Sequence, residues 1–326
     1  MTRIRKGVIT AAGRGTRLLP ATRTVQKELF PLVDVDGRAK PIIQILVEEL
    51  TASGIEEICI VANTANIEPM RRHFAEEPGA AKISFAVQAT QEGYGHAVFQ
   101  ARDWVGGEPF VLTLGDHVYF SERAPERPPR PNSGVPDLAV ALSCLAPQNW
   151  GEGASSEPSP RCTRQVMDAF EANGCSVSSV FAVAEASVTR YGIIAGMERG
   201  DGLYSVRAMA EKPTAAFAQS NLRTVGLPDG HYLSFFGIHA FTPTIFDCLA
   251  QLIDTDKRER GEFQLTSAQE LLFAKEDYLL SKVAGVRCDM GVPEGLIETQ
   301  IALALRSPFA GTVRGMLTES SGQRVQ

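Results

Sequence analysis

Two glycines and four basic residues lie close together near the start of the chain, in the stretch GRGTRLLPATRTVQKELFPL at residues 13–32. Gly13 and Gly15 would let the backbone approach a ligand closely and aim its N–H groups at an anion. Arg17 and Lys27 add fixed positive charge to the same segment. A glycine pair alone is more often only a turn, but the combination with positive charge predicts a loop that binds phosphate.

The two common phosphate-binding fingerprints do not fit this loop. A dinucleotide fingerprint requires a third glycine where this chain has Leu18, and the P-loop signature GxxxxGK[ST] is absent. A dinucleotide-dependent dehydrogenase is therefore excluded. The sequence also lacks HExxH, GxSxG and CxxC motifs, so zinc hydrolases and serine hydrolases lack their starting residues.

The composition is that of a folded globular protein. Of the 326 residues, 44% are hydrophobic and 21% are charged, and the net charge is -6. This acidic balance argues against binding of nucleic acid, which normally shows as a basic surplus. No apolar run approaches the roughly 20 residues of a transmembrane helix, so no membrane partner is expected. The cysteines lack regular spacing and no signal peptide is recognisable, which favours a cytoplasmic location.

Strand and helix signals alternate through the first part of the chain. The β-branched run KGVITAAG at residues 6–13 predicts a buried strand, and apolar residues at helical spacing after Pro41 predict a helix. Further strands are predicted at residues 57–64, 82–88 and 109–116. This alternation predicts an α/β fold with a Rossmann-like mixed, mainly parallel sheet flanked by helices. Ligands of such folds bind outside the carboxyl ends of the strands, where the opening loop and Asp116 are expected.

The second half of the chain continues the pattern after a change in composition. Residues 121–161 are rich in proline and poor in apolar residues, which predicts a surface insertion. Asp201 and Gly202 lie between two apolar runs, as in a hairpin turn. Thr266 and Gln269 have the spacing of a capping box at a helix start. The predicted organisation is one domain, which contains the insertion, followed by a C-terminal tail, at residues 1–305 and 306–326.

The full stretch AAGRGTRLLPATRTVQKELFPLVD at residues 11–34 resembles the signature of the nucleoside-diphosphate-sugar pyrophosphorylases, and specifically of the bacterial UTP–glucose-1-phosphate uridylyltransferases. The resemblance continues in matching order from residue 5 to about residue 305, through QATQEGYGHAV, LGDHVY, RYGII, AEKP and CDMG. It implies an enzyme in which a sugar 1-phosphate attacks the α-phosphorus of UTP and pyrophosphate leaves. Glucose 1-phosphate as acceptor would give UDP-glucose.

The resemblance also implies which residues catalyse the reaction and which bind metal. Arg17 would hold the triphosphate, Lys27 would sit near the α and leaving phosphates, and Lys212 would bring in the sugar phosphate. Asp116 and Asp289 would share one Mg²⁺ that bridges both substrates, since hard carboxylate oxygens suit that ion.

Binding roles follow from the same resemblance. Nucleotide-binding residues are implied in the opening loop and in the base-reading segment, at Ala12, Gly13, Gly15, Gln88 and Gly93. Gln88 would pair with the uracil edge, and Gly93 would leave room for the base. Gly192 and Glu211 would contact the sugar. The family resemblance further suggests a homo-oligomer, either a dimer or a tetramer.

The sequence departs from the family pattern at several points. Val292 and Pro293 replace the Asn-Lys pair that usually follows the second metal motif, which leaves the identity of the sugar 1-phosphate open. The segment VDGRAK lengthens the turn before the first helix. UTP and dTTP differ at the base by one methyl group, so thymidylyl transfer to glucose 1-phosphate stays an alternative. A noncatalytic subunit that senses sugar nucleotides is the other, although the basic and acidic site residues are retained.

Overall fold

The computed structural model describes residues 3–77, 79–121 and 160–322. The chain divides into two compact units. Unit 1 contains Met1–Gly13, Val47–Gly115 and Arg161–Val283. Unit 2 contains Arg14–Leu46, Asp116–Pro160 and Ala284–Gln326. Nearly all of the predicted insertion at residues 121–161 lies outside the described residues, and the predicted division into one domain and a tail stays a prediction.

The strands of the described residues are numbered in chain order. They are β1 (Lys6–Ala11), β2 (Pro31–Val33), β3 (Ala39–Pro41), β4 (Glu57–Asn63), β5 (Lys82–Gln88), β6 (Phe110–Leu114), β7 (His117–Ser121), β8 (Ser176–Ala184), β9 (Gly192–Gly200), β10 (Leu203–Glu211), β11 (His231–Phe241), β12 (Tyr278–Lys282) and β13 (Gly285–Asp289). Short 3-10 turns occupy Thr16–Leu18, Ala21–Arg23, Lys27–Leu29 and Glu185–Arg190.

The helices are numbered in the same way. They are α1 (Ile42–Ala52), α2 (Ile67–Glu76), α3 (Tyr94–Phe99), α4 (Arg102–Val105), α5 (Cys162–Asn173), α6 (Ala215–Asn221), α7 (Thr244–Asp254), α8 (Leu265–Phe273), α9 (Pro293–Ala304) and α10 (Ala310–Gly322). Helix α10 occupies much of the segment predicted as a C-terminal tail. Within the part of the chain that the structure describes, no helix combines the length and the apolar character needed to cross a membrane.

Unit 1 is built on a nine-stranded mixed sheet with the order β5-β4-β1-β6-β11-β8-β12-β10-β9. The first four strands are parallel neighbours, and β8 and β12 form a further parallel pair. Strand β11 runs antiparallel to both β6 and β8, and β10 runs antiparallel to β12 and β9. The predicted mixed sheet flanked by helices is confirmed. Parallel pairing dominates its first four strands, and antiparallel pairing dominates the rest.

The core of unit 1 explains why its strands could be recognised. Central strand residues such as Val8, Val61 and Leu112 are completely buried in one apolar cluster. Phe110 on β6 stacks on Phe246 of α7, with ring centroids 5.1 Å apart. Strands that are covered on both faces read as continuous apolar runs, which is the pattern seen in the sequence.

The predicted hairpin at Asp201 and Gly202 is confirmed between β9 and β10. Both residues have positive φ angles, of 51° and 74°. Two consecutive left-handed residues form the tight turn whose twist matches that of paired strands, and Asp-Gly is a favoured sequence for it.

The capping box predicted for Thr266 and Gln269 is wrong. Helix α8 begins after Gln264, which makes no side-chain capping hydrogen bond. The Thr266 hydroxyl instead donates to Glu211 Oε2 at 2.8 Å, and Gln269 Nε2 donates to the hydroxyl of Tyr278 at 2.6 Å. The side chains of Thr266 and Gln269 therefore form hydrogen bonds with residues outside the helix, and they do not cap its N-terminus.

Gln269 belongs to a buried polar cluster in unit 1. Ser178 Oγ lies 2.5 Å from His239 Nδ1 and also contacts the hydroxyl of Tyr278. The His239 ring stacks on Phe241, with centroids 5.3 Å apart. Burial lowers the pKa of His239 to about 3, so its imidazole is neutral in the folded protein at ordinary pH.

The free energy of unfolding is expected to depend on pH through His239. The unfolded chain takes up a proton near pH 6.5, whereas the folded imidazole stays neutral down to about pH 3. The contribution of His239 to the free energy of unfolding is therefore fully present above pH 6.5, and it is lost as the pH falls from 6.5 toward about 3. At about pH 4.5 the loss from this group is about 3 kcal/mol.

Urea unfolding of the wild type and of His239→Asn at neutral and acidic pH measures this contribution. The variant cannot titrate at this position, so the wild type's stability advantage should shrink toward low pH. A difference in unfolding free energy that stays constant with pH would contradict the assignment.

Unit 2 contains two small antiparallel pairs, β2 with β3 and β7 with β13. In the second pair His117 lies opposite Asp289. The lengthened turn VDGRAK joins β2 to β3, where Lys40 Nζ lies 2.8 Å from both Asp34 Oδ2 and Asp36 Oδ2. Helix α9 holds this hairpin, because Gln300 Oε1 accepts from the backbone N–H of Val33 at 3.1 Å.

Candidate active site

A buried pair of opposite charges lies in unit 2. The Lys27 ammonium, in the turn Lys27–Leu29, contacts Asp116 Oδ2, and it lies 3.5 Å from Glu28 Oε1. His117 Nδ1 lies 2.8 Å from the other oxygen of Asp116, Oδ1. Lys27, Glu28, Asp116 and His117 are all buried. The sequence predicted Lys27 and Asp116 as site residues, and the structure brings them into direct contact.

Burial and the neighbouring charges shift the pKa values of Lys27, Glu28 and Asp116. Burial alone would raise the pKa of Asp116, but Lys27 and His117 hold it well below its ordinary value. Burial raises the pKa of Glu28 to about 7, although Lys27 opposes the shift. For Lys27, burial lowers the pKa, but Asp116 and Glu28 outweigh burial and raise it. At neutral pH the site therefore holds an ionised Asp116 beside a charged Lys27.

Asp289, the second predicted metal carboxylate, lies at the end of β13. Its Oδ1 accepts a hydrogen bond from the backbone N–H of Gly291 at 2.8 Å. A methyl group at Gly291 would lie 2.7 Å from Arg17 Nη2, 2.9 Å from Asp116 Oδ2 and 3.0 Å from Asp289 Oδ1. Arg17, Asp116 and Asp289 therefore converge on a position that only glycine can occupy without displacing them.

Three side chains of unit 2 could hold a metal ion. Asp116, His117 and Asp289 each offer one ligand atom, and these atoms all lie within 4.8 Å of one another. Carboxylate oxygens are the ligands that Mg²⁺ prefers, and imidazole is a ligand of several other divalent metals. The donor set therefore fits a divalent cation. His117 was not predicted as a site residue, although it directly follows Asp116 in LGDHVY.

The opening loop is held from two sides at the end of β1. In unit 1 the carbonyl of Ala12 accepts hydrogen bonds from Asn63 Nδ2 at 3.2 Å and from Gln91 Nε2 at 2.7 Å. In unit 2 Gly15 adopts a positive φ of 64°, and its carbonyl accepts from Thr22 Oγ1 at 2.8 Å. Gly13, between these two anchors, is exposed.

The predicted base-reading residues come together in unit 1. Gln88 is buried at the end of β5, and its Nε2 donates to the carbonyl of Gly93 at 3.1 Å and lies 3.1 Å from His96 Nδ1. Gly93 has a φ of 112°, and a methyl group there would lie 2.7 Å from Glu262 Cβ. His96 thus fixes the Gln88 amide, which the sequence analysis did not anticipate. The contacts with Gly93 and His96 both involve the amide nitrogen of Gln88.

The predicted sugar-binding residues also lie together in unit 1. Gly192 on β9 pairs with Glu211 on β10, and a methyl group at Gly192 would lie 3.1 Å from Glu211 Oε2. Thr266 donates to that same oxygen at 2.8 Å. Lys212 follows with a positive φ of 44°, and its Nζ lies 3.2 Å from Glu211 Oε1. Glu211 is therefore held in place by the hydroxyl of Thr266 and the ammonium group of Lys212. The Lys212 side chain is itself partly exposed.

Comparison of the chain with known proteins identifies its family. A family model described as Nucleotidyl transferase matches residues 6–126. The UTP–glucose-1-phosphate uridylyltransferase of Staphylococcus epidermidis is 30% identical, over 94% of this chain and 95% of that protein. The chain belongs to the UTP–glucose-1-phosphate uridylyltransferase family. A second uridylyltransferase, from Streptococcus pyogenes serotype M3, is 32% identical over 94% of this chain and 91% of its own length.

A solved structure agrees with this family assignment. A UDP-glucose pyrophosphorylase complexed with UDP-glucose has a TM-score of 0.66 and 25% sequence identity, and the match covers 92% of this chain and 98% of that one. The family and the fold expected from the sequence resemblance are thereby confirmed.

Substitution of Gly291 by alanine is expected to weaken binding of divalent metal about tenfold or more, because the new methyl group would displace the carboxylates of Asp116 and Asp289. Titration of the protein with Mn²⁺, followed by the EPR signal of the free ion, measures the affinity. Gly311→Ala in α10 is the matched control, since the added methyl group meets nothing within 4 Å apart from the backbone of its own helix and its chain neighbours. Equal Mn²⁺ affinity of Gly291→Ala and the wild type would refute the placement of the metal.

Proposed function

We propose that the protein transfers a uridylyl group from UTP to glucose 1-phosphate and so produces UDP-glucose and pyrophosphate. The observation that carries the proposal is the convergence of Arg17, Asp116 and Asp289 on Gly291, beside the buried Lys27, in a member of the uridylyltransferase family. The relatives carry this activity in their names.

The proposed chemistry is a direct displacement. An oxygen of the sugar phosphate attacks the α-phosphorus of UTP in line, and pyrophosphate leaves from the opposite side. Catalysis of this reaction depends on positioning two anions that repel each other and on neutralising charge as the leaving group departs. Arg17 would hold the triphosphate and Lys27 would sit near the α and leaving phosphates. No nucleophilic side chain is required, which fits a site built from cations and carboxylates.

A divalent metal ion completes the proposed site. Nucleotidyltransferases of this family generally use such an ion, and we assign it as Mg²⁺ held by Asp116 and Asp289. When bound, the ion would withdraw negative charge from the phosphate oxygens. The two carboxylates suit this ion because they offer hard oxygen ligands, and because Asp116 is ionised at neutral pH.

Recognition of the nucleotide is assigned to the opening loop and to Gln88. Backbone groups of Ala12, Gly13 and Gly15 would contact the triphosphate, and Gly93 would leave room for the base. The Gln88 carbonyl oxygen would accept a hydrogen bond from N3–H of uracil. Cytosine has no hydrogen at N3, so the same oxygen would face a lone pair and CTP would be rejected.

Recognition of the sugar phosphate is assigned to residues of β9 and β10. Glu211 and Gly192 would contact the sugar hydroxyls, and Lys212 would bind the phosphate. Thr266 is a positioning residue, because its hydroxyl fixes Glu211 Oε2 at 2.8 Å. Fixed acceptors of this kind discriminate between sugars that differ in one hydroxyl, since a mismatched sugar leaves a polar group unpaired.

We also propose a cytoplasmic location and a homo-oligomeric state. The location is supported by the cysteines, because those at positions 59, 162, 175, 248 and 288 are all free in the described part of the chain. Unpaired cysteines are typical of a reducing compartment. The homo-oligomer is supported by the family resemblance.

The test of the proposed function is release of pyrophosphate in the presence of Mg²⁺, with UTP, dTTP, CTP, ATP and GTP each crossed against a panel of sugar 1-phosphates. Release with UTP and glucose 1-phosphate is expected. Equal or better release with dTTP would replace uridylyl by thymidylyl transfer. Tight binding of a nucleotide sugar without any release would instead indicate a sensing subunit.

Thr266→Val is expected to raise the KM for glucose 1-phosphate about tenfold while leaving the KM for UTP nearly unchanged. Valine keeps the shape of the side chain but removes the hydroxyl that positions Glu211. Thr266→Ser retains the hydroxyl and should behave like the wild type. Steady-state kinetics with each substrate varied in turn provide the measurement. An equal effect on both KM values, or an equal defect in both variants, would argue against the positioning role.

A further inference from the structure

We propose that His117 is a direct ligand of the divalent metal ion, so that the ion is held by two carboxylates and one imidazole. The inference builds on the metal site of the proposed function, which was assigned to Asp116 and Asp289 alone. It concerns a side chain of this protein for which the sequence analysis and the family resemblance gave no role.

The dimensions of the cluster support this assignment. Ligands about 2.1 Å from a divalent ion lie about 3 Å apart when adjacent and about 4.2 Å apart when opposite. His117 Nδ1 lies 2.8 Å from Asp116 Oδ1, and the ligand atoms of Asp116, His117 and Asp289 all lie within 4.8 Å. The three side chains therefore already enclose a space close to the size of one coordination shell.

The backbone holds His117 in this position. His117 begins β7 and is paired directly opposite Asp289 on β13, where cross-strand side chains are close neighbours. The ring is buried and stacks against Tyr119, with centroids 6.4 Å apart. A ligand fixed by strand pairing and by ring packing loses little freedom when it binds an ion, which favours coordination.

The ion pair between Lys27 and Asp116 leaves the second oxygen of Asp116 for the metal ion. Lys27 contacts Oδ2 of Asp116, whereas His117 faces Oδ1. The ammonium group and an ion bound on the His117 side therefore need not share one carboxylate oxygen. His117 would exchange its hydrogen bond with Asp116 for a bond to the metal, and Asp116 could keep its ion pair with Lys27.

An imidazole ligand changes which metals the site prefers. Nitrogen ligands favour Mn²⁺, Co²⁺ and Zn²⁺ more than Mg²⁺, which favours oxygen ligands. The protein is therefore expected to bind Mn²⁺ and Co²⁺ more tightly, relative to Mg²⁺, than a site made of carboxylates alone.

Electron spin echo spectroscopy of the intact protein with Mn²⁺, without substrates, tests the assignment directly. A directly bound imidazole gives ¹⁴N modulation of the Mn²⁺ signal, and incorporation of ¹⁵N-histidine should change that modulation. His117→Gln should abolish it and weaken Mn²⁺ binding about tenfold or more. The control His73→Gln, on helix α2, should preserve the modulation.

The wild-type spectrum is decisive even if His117→Gln fails to fold. Mn²⁺ bound without histidine modulation, modulation that persists in His117→Gln, or no Mn²⁺ binding at millimolar concentration would each overturn the proposal. The readout is independent of turnover. Histidine modulation without pyrophosphate release would support the ligand assignment and refute the proposed function, whereas release without modulation would do the reverse.

Discussion

A carboxylate removed from water must be matched by positive charge, and in this protein that carboxylate is Asp116. Lys27 contacts one of its oxygens and His117 the other, and together they keep its pKa low despite burial. Removal of the Lys27 ammonium would leave the buried carboxylate without its ion-pair partner. The charges that the reaction needs are therefore held in place before any substrate arrives, which is the condition under which electrostatic catalysis is most effective.

Close approach of the backbone is the second requirement of the site, and glycine meets it. Gly115 donates to the carbonyl of Thr10 at 2.9 Å, and a methyl group at Gly115 would lie 2.6 Å from that oxygen. The chain thus leaves β6 in contact with β1 just before Asp116. At Gly291 the lack of a side chain likewise leaves room for Arg17 and for the carboxylates of Asp116 and Asp289. Several glycines that looked like ordinary turn residues in the sequence are in fact required by the lack of space for a side chain.

Much of this arrangement could be predicted from the sequence, because the signals involved are local. The start of β1, both ends of β5, the hairpin at Asp201 and the resemblance of the phosphate loop all follow from residues within short segments. The insertion of β11 between β6 and β8 could not be predicted, since strand order depends on pairing between distant segments. Thr266 and His117 were missed for the same reason: their partners Glu211 and Asp289 are close only in the folded chain.

The proposed roles of the charged residues determine the stereochemistry of the reaction. Cations and carboxylates that orient two phosphates and stabilise a leaving group support a direct displacement, in which no side chain carries the uridylyl group. The most direct test of this account uses one diastereomer of UTP with sulfur at the α-phosphorus, with glucose 1-phosphate as acceptor. Direct displacement predicts a product with inverted configuration at that phosphorus. Retention would show two successive displacements through a covalent enzyme intermediate, and would contradict it.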